Sequence, residues 1–142
     1  MSVVSIRHHI ESLGGVLTLA PAPGDGTPEI AWGDFFFYYA PDGVLPNGQP
    51  FATIVTKEYP DDTSSQLSRP GFYRVNVAAG RDAFERVEPD VDPATPDVLF
   101  AHPVYAAQHW LSVVNPGVAS EVALKELLAV AHGLARGRAE RR

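Results

Sequence analysis

Apolar and polar positions repeat with two different periods along this chain of 142 residues. Val3, Ile6, Ile10 and Leu13 recur at helical spacing, with Ser2 placed to cap the start and Gly14-Gly15 to stop the run, and this predicts an opening amphipathic helix. Residues 16–20 form a short β-prone stretch that ends in the turn-rich PAPGDGTPE. Two strands are predicted next, over residues 30–40 and 51–57, joined by PDGVLPNGQP with its Asp-Gly and Asn-Gly pairs. The polar YPDDTSSQLSRP predicts one helical turn from Asp62 or Thr63. Then YRVNVA, residues 73–78, alternates with period two, which places Tyr73, Val75 and Val77 on one face of a strand and Arg74 and Asn76 on the other. A short helix over residues 81–87, the loop EPDVDPATPD and a strand over residues 110–114 follow. From Ser120 a closing helix carries Leu124, Leu127, Leu128, Ala131 and Leu134 as an apolar stripe.

That order predicts an α+β fold: an antiparallel sheet of about five strands with the N-terminal helix and the long C-terminal helix packed on one face. Length and an apolar fraction of 45% suit one domain over residues 1–142. No stretch approaches the roughly 18 to 20 apolar residues of a membrane helix, and MSVVSIRHHIESL lacks the basic region and apolar run of a secretory signal, so a cytoplasmic protein is expected. Without cysteine the chain has no disulfide, thiolate nucleophile or cysteine-held metal.

Charge is unevenly placed. The basic end of the last helix, residues 136–142 (RGRAERR), carries +3 of a net −6, which leaves −9 for residues 1–135. An acidic body repels phosphate backbones, and arginines at a helix end complement its dipole, so duplex DNA is not an expected partner.

WGDFFFYYAPDG, PFATIVTKEYPDDTSSQLSRPGFYRVNVAAG, AHPVYAAQHWLSVVNPG and LLAVAHGLARGRAERR together resemble a family of small bacterial proteins catalogued as a domain of unknown function. The tryptophan strand followed by the closing helix is more distantly similar to the MmcQ/YjbR proteins. That likeness implies helices against an antiparallel sheet, and a DNA-binding role by shape. The turn segments PAPGDGTPE and PDGVLPNGQP contain no lysine or arginine with which to grip phosphate.

Candidate chemistry falls in two places. The aromatic run from Phe35 to Tyr39 puts rings on both faces of its strand, and only one face lies under the helices. The other face would hold Arg74, Asn76, Tyr38 or Tyr39 and Lys57, the makings of a small-molecule site. Arg74 would pair an anionic group of the ligand bidentately, or else pair with an aspartate of the chain; Asn76 would hydrogen-bond a carbonyl or hydroxyl. The second place is FAHPVYAAQHW. His102-Pro103 reads as a corner before the last strand, with Tyr105 and His109 as pocket-lining candidates; the competing reading makes His102 and His109 acid/base groups of an enzyme. No P-loop, dinucleotide fingerprint, nucleophile elbow, EF-hand or zinc motif is present, so no cofactor and no metal is expected. The leading expectation is a small-molecule-binding or accessory protein, with a DNA-binding module and an enzyme as alternatives.

Overall fold

Ser2 caps the first helix through a reciprocal pair of bonds: its hydroxyl accepts from the Ser5 amide, and the Ser5 hydroxyl accepts from the Ser2 amide. Two of the amides that a helix start leaves bare are thereby satisfied. In this computed structural model, which describes residues 1–141, that helix, α1, is Val3–Glu11 and turns Ile6 and Ile10 fully inward. Strands β1 (Val16–Leu19), β2 (Phe35–Tyr39), β3 (Ala52–Val55) and β4 (Arg74–Ala78) come next, then α2 (Arg81–Glu85), β5 (Leu99–Ala101), β6 (Trp110–Val114) and α3 (Glu121–Glu140). They form one six-stranded sheet in the order β1-β2-β3-β4-β6-β5, antiparallel at every pairing.

The sixth strand corrects the expectation of about five. β5 has three residues and emerges from the proline-rich loop, too short for alternation to show. It pairs with β6 as a hairpin whose connection is residues 102–109. Two further expectations shift. The strand expected from residue 30 starts at Phe35, because Glu29–Ala31 closes a 3-10 turn and Gly33 takes φ +87°, a conformation that breaks an extended run. No helical turn forms at Asp62 or Thr63; residues 59–72 run as successive turns, which Arg69 gathers by donating to the carbonyls of Ser65, Gln66 and Ala94.

The register of β2, β3, β4 and β6 builds the core in rows. Phe37, Ala52, Val77 and Leu111 lie side by side, as do Phe35, Ile54, Val75 and Val113. Both rows are covered by Ile6 and Ile10 of α1 and by Leu124, Leu128 and Ala131 of α3, so the two helices share one face. Each large side chain so buried contributes roughly 1.5–3 kcal/mol. The stripe of α3 is narrower than expected: Leu127 is only partly covered, and Leu134 is 41% exposed where it lies over Gly80. His132 of α3 donates from Nε2 to the Gly14 carbonyl at 2.7 Å, tying the last helix to the end of the first.

Asp97 fixes how α3 begins. Its carboxylate accepts from the amides of Gly117, Ala119 and Ser120 and from the Ser120 hydroxyl. These bonds, the Ser120 hydroxyl first among them, hold its pKa below the usual carboxylate range. The basic helix end holds Arg136 paired with Glu140 inside α3; Arg142 falls outside the described residues.

Candidate functional site

On the sheet's other face, away from the helices, the same register produces a further row across five strands: Phe36, Thr53, Asn76, Ser112 and Phe100. Its three middle members are polar and buried, and they satisfy one another. Asn76 donates from Nδ2 to the Thr53 hydroxyl at 3.0 Å and accepts at Oδ1 from the Ser112 hydroxyl at 2.8 Å. The neighbouring row is Val55, Arg74 and Val114.

Part of this face is closed by loops. Leu67, Phe72 and Val91 come down on Val55, Phe100 and Val114 and form a second, smaller core. The remainder is a cavity of about 510 Å³. Phe36, Tyr38, Tyr59, Tyr105 and Trp110 wall it, and Thr53, Arg74, Asn76 and His102 lie among them. Apolar walls around a few converging polar groups are the usual build of a small-molecule site.

Arg74 organises the polar part. Although it is 1% exposed, every nitrogen of its guanidinium is engaged. Nε donates to Asn76 Oδ1 at 2.8 Å; Nη1 donates to Asp62 Oδ1 at 2.9 Å and to Ser65 Oγ at 3.1 Å; Nη2 donates to Asp62 Oδ2 at 2.5 Å. The bidentate place foreseen for an anionic ligand is thus filled by the chain's own Asp62, the other pairing the sequence left open. Burial raises the pKa of the Asp62 carboxyl, but the hydrogen bonds and charge of Arg74 prevail and hold it below its ordinary value.

His102 faces this ion pair from the β5–β6 connection. Its Nδ1 accepts from the amides of Val104 and Tyr105, each at 3.0 Å, so the ring pins the corner that Pro103 opens. Burial, with the Arg74 guanidinium, lowers its pKa to about 4 against the opposing pull of Asp62. The imidazole is therefore neutral at pH 7. With Nδ1 committed as acceptor, the proton is assigned to Nε2, and the ring offers a hydrogen-bond donor rather than a base.

Of the residues singled out from sequence, Tyr38, Arg74, Asn76, His102 and Tyr105 meet around the cavity. Lys57 does not line it: its ammonium lies 3.0 Å from Asp34 and donates to the Trp32 carbonyl. His109 does not line it either. It takes a left-handed backbone conformation at φ +64° and packs against Phe84, so it shares no site with His102. Tyr39 stands on the helix side, edge-on to His132.

Sequence reasoning missed Asp62, Ser65, Thr53, Ser112 and Trp110. Thr53 and Ser112 carried a usable signal: a lone hydroxyl in an otherwise apolar strand needs a buried partner. Asp62 carried none, since nothing local says that a turn twelve residues upstream folds onto Arg74. Asp97, the carboxylate nearest in sequence to the two histidines, is consumed by the start of α3. Among the described residues, no group of three or more His, Asp or Glu is placed to hold a metal ion, and no helix is long and apolar enough to cross a membrane.

One family model matches the chain over residues 1–142, and the family is described as one of unknown function. No curated protein and no solved structure matches it.

Proposed function

We propose that this chain, which belongs to the family of unknown function DUF6194, binds a small molecule in the cavity on the helix-free face of its sheet. One observation supports the reading above others: a buried, internally neutralised polar group, Arg74 with Asp62 and Asn76, lines an aromatic-walled space large enough for a drug-sized ligand. A cluster that served stability alone has no need of open volume beside it. The ligand lies against Tyr38, Tyr105 and Trp110 and directs a polar group at Arg74, Asn76 and His102, with Asp62 left in its pairing with Arg74. The same proposal places the protein in the bacterial cytoplasm and keeps the MmcQ/YjbR proteins as its distant likeness in arrangement, as the sequence resemblance implies.

Tyr105 is 50% exposed, so Tyr105→Ala removes one wall with little effect on folding. In a thermal-shift screen of small aromatic compounds, hits are expected to raise the melting temperature of the natural chain and to lose most of that gain in Tyr105→Ala. Hits that stabilise both proteins equally would place binding elsewhere. A duplex DNA titration in the same series is expected to show no salt-sensitive affinity, because the body of the chain carries −9.

A further inference from the structure

Three donors converge on two ring nitrogens at His102. The amides of Val104 and Tyr105 point at Nδ1, and Arg74 Nη2 points at Nε2 from 3.3 Å. A neutral imidazole has one lone pair in its plane, so it serves one of these sides and presents an N–H to the other. Two short amide bonds outweigh one long contact, which puts the lone pair on Nδ1 and the hydrogen on Nε2. The opposite tautomer would set a ring N–H against two backbone amides, and the imidazolium would oppose donors on both sides.

The consequence is a donor facing a donor. One hydrogen of Arg74 Nη2 goes to Asp62; the second meets the His102 Nε2 hydrogen, and among the described residues neither has an acceptor from the chain. Both side chains are more than nine-tenths buried, and both line the cavity. Unmet buried donors are costly, and an oxygen placed between these two would accept from both.

Resting on the proposal that the cavity binds a small molecule, we infer that its ligand presents a neutral carbonyl-type oxygen, as in an amide or lactam, to His102 Nε2 and Arg74 Nη2. Charge decides between a carbonyl and a carboxylate. The Arg74 charge is already matched by Asp62, and Asp61 adds a further carboxylate to the lining, so a ligand anion would lie beside two others. A carbonyl oxygen supplies two lone pairs and no net charge, and Phe36, Tyr38 and Trp110 of the lining offer ring faces to a planar group bearing it.

The test uses benzamide, benzoate and toluene, which share a ring and differ in what they offer the two donors. Long-range proton–nitrogen spectra of histidine-labelled protein at pH 7 read the His102 tautomer directly, and titrations read the three affinities. The expectation is an Nε2–H tautomer, a downfield shift of that proton with benzamide, and benzamide binding about tenfold tighter than toluene or benzoate. His102→Asn keeps an acceptor for the two amides and removes the ring donor; it should cost benzamide about tenfold and toluene clearly less. An Nδ1–H tautomer, or benzoate or toluene binding as well as benzamide, overturns this inference while the binding proposal stands. Failure of all three probes to perturb the cavity overturns the binding proposal, and this inference with it. Should His102→Asn fail to fold, the tautomer and the ranking of probes on the natural chain still decide.

Discussion

The Asp62 carboxylate lies across both terminal nitrogens of Arg74, at 2.9 and 2.5 Å, with the two side chains 11% and 1% exposed. Removing one partner leaves the other charge buried without its counterion. Asp62→Ala is therefore expected to cost about 3–5 kcal/mol in chemical denaturation. A cost under about 1 kcal/mol would show that Asp62 does not hold the guanidinium in solution.

His102 makes stability depend on acidity in a defined window. Its folded pKa, about 4, lies below the unfolded value of 6.5, so between those values the unfolded chain binds a proton that the folded chain refuses. Full stability is present above pH 6.5 and is lost as pH falls toward 4, at up to about 1.4 kcal/mol per pH unit. Denaturation midpoints at pH 7, 6, 5 and 4 should fall less steeply in His102→Asn than in the natural chain. Parallel curves would mean that His102 takes up its proton equally in both states.

Asp97 is expected to act as a cap supplied from outside the helix. Asp97→Ala removes the acceptor for three amides at the start of α3, and such losses cost roughly 0.5–2 kcal/mol. The depressed carboxyl pKa adds stability above the unfolded carboxylate pKa, and that contribution disappears as pH falls through the folded value. The variant's deficit should shrink in strong acid; a deficit that persists there would come from packing.

Leu128, fully buried, and Leu127, partly covered, are adjacent on α3 and should behave differently. Leu128→Ala is expected to cost about 2–5 kcal/mol, and Leu127→Ala clearly less. Equal costs would mean that the helix is rotated from the face described.

Much of this architecture was legible because period and burial agree. The alternation in YRVNVA sorted Val75 and Val77 to the core and Arg74 and Asn76 to the opposite face, and the register with β3 and β6 places them so. β5 was not legible: three residues carry no period, and its pairing with β6 is visible only once the hairpin has closed. At the site, the alternation placed Arg74 and Asn76 on the cavity face, whereas it left Tyr38 and Tyr39 undecided. Lys57 lies off the cavity because a nearby carboxylate, Asp34, captures its ammonium, and His109 because the left-handed turn that closes the 102–109 connection sets its ring against Phe84. Asp62 depended on the path of a polar loop, which follows from contacts with the finished sheet rather than from local preference.

The buried ladder of Thr53, Asn76 and Ser112 also acts as a key for strand alignment. Sliding β4 by one residue past its neighbours would carry Arg74 and Asn76 beneath α1 and α3 and turn Val75 and Val77 into the cavity. An all-apolar sheet, buried on both faces, would tolerate such a slip with little loss; here every misaligned pairing strands an amide or a guanidinium among aliphatic side chains. The polar groups that make the face suitable for a ligand are thus the same ones that leave β3, β4 and β6 a single way to pair.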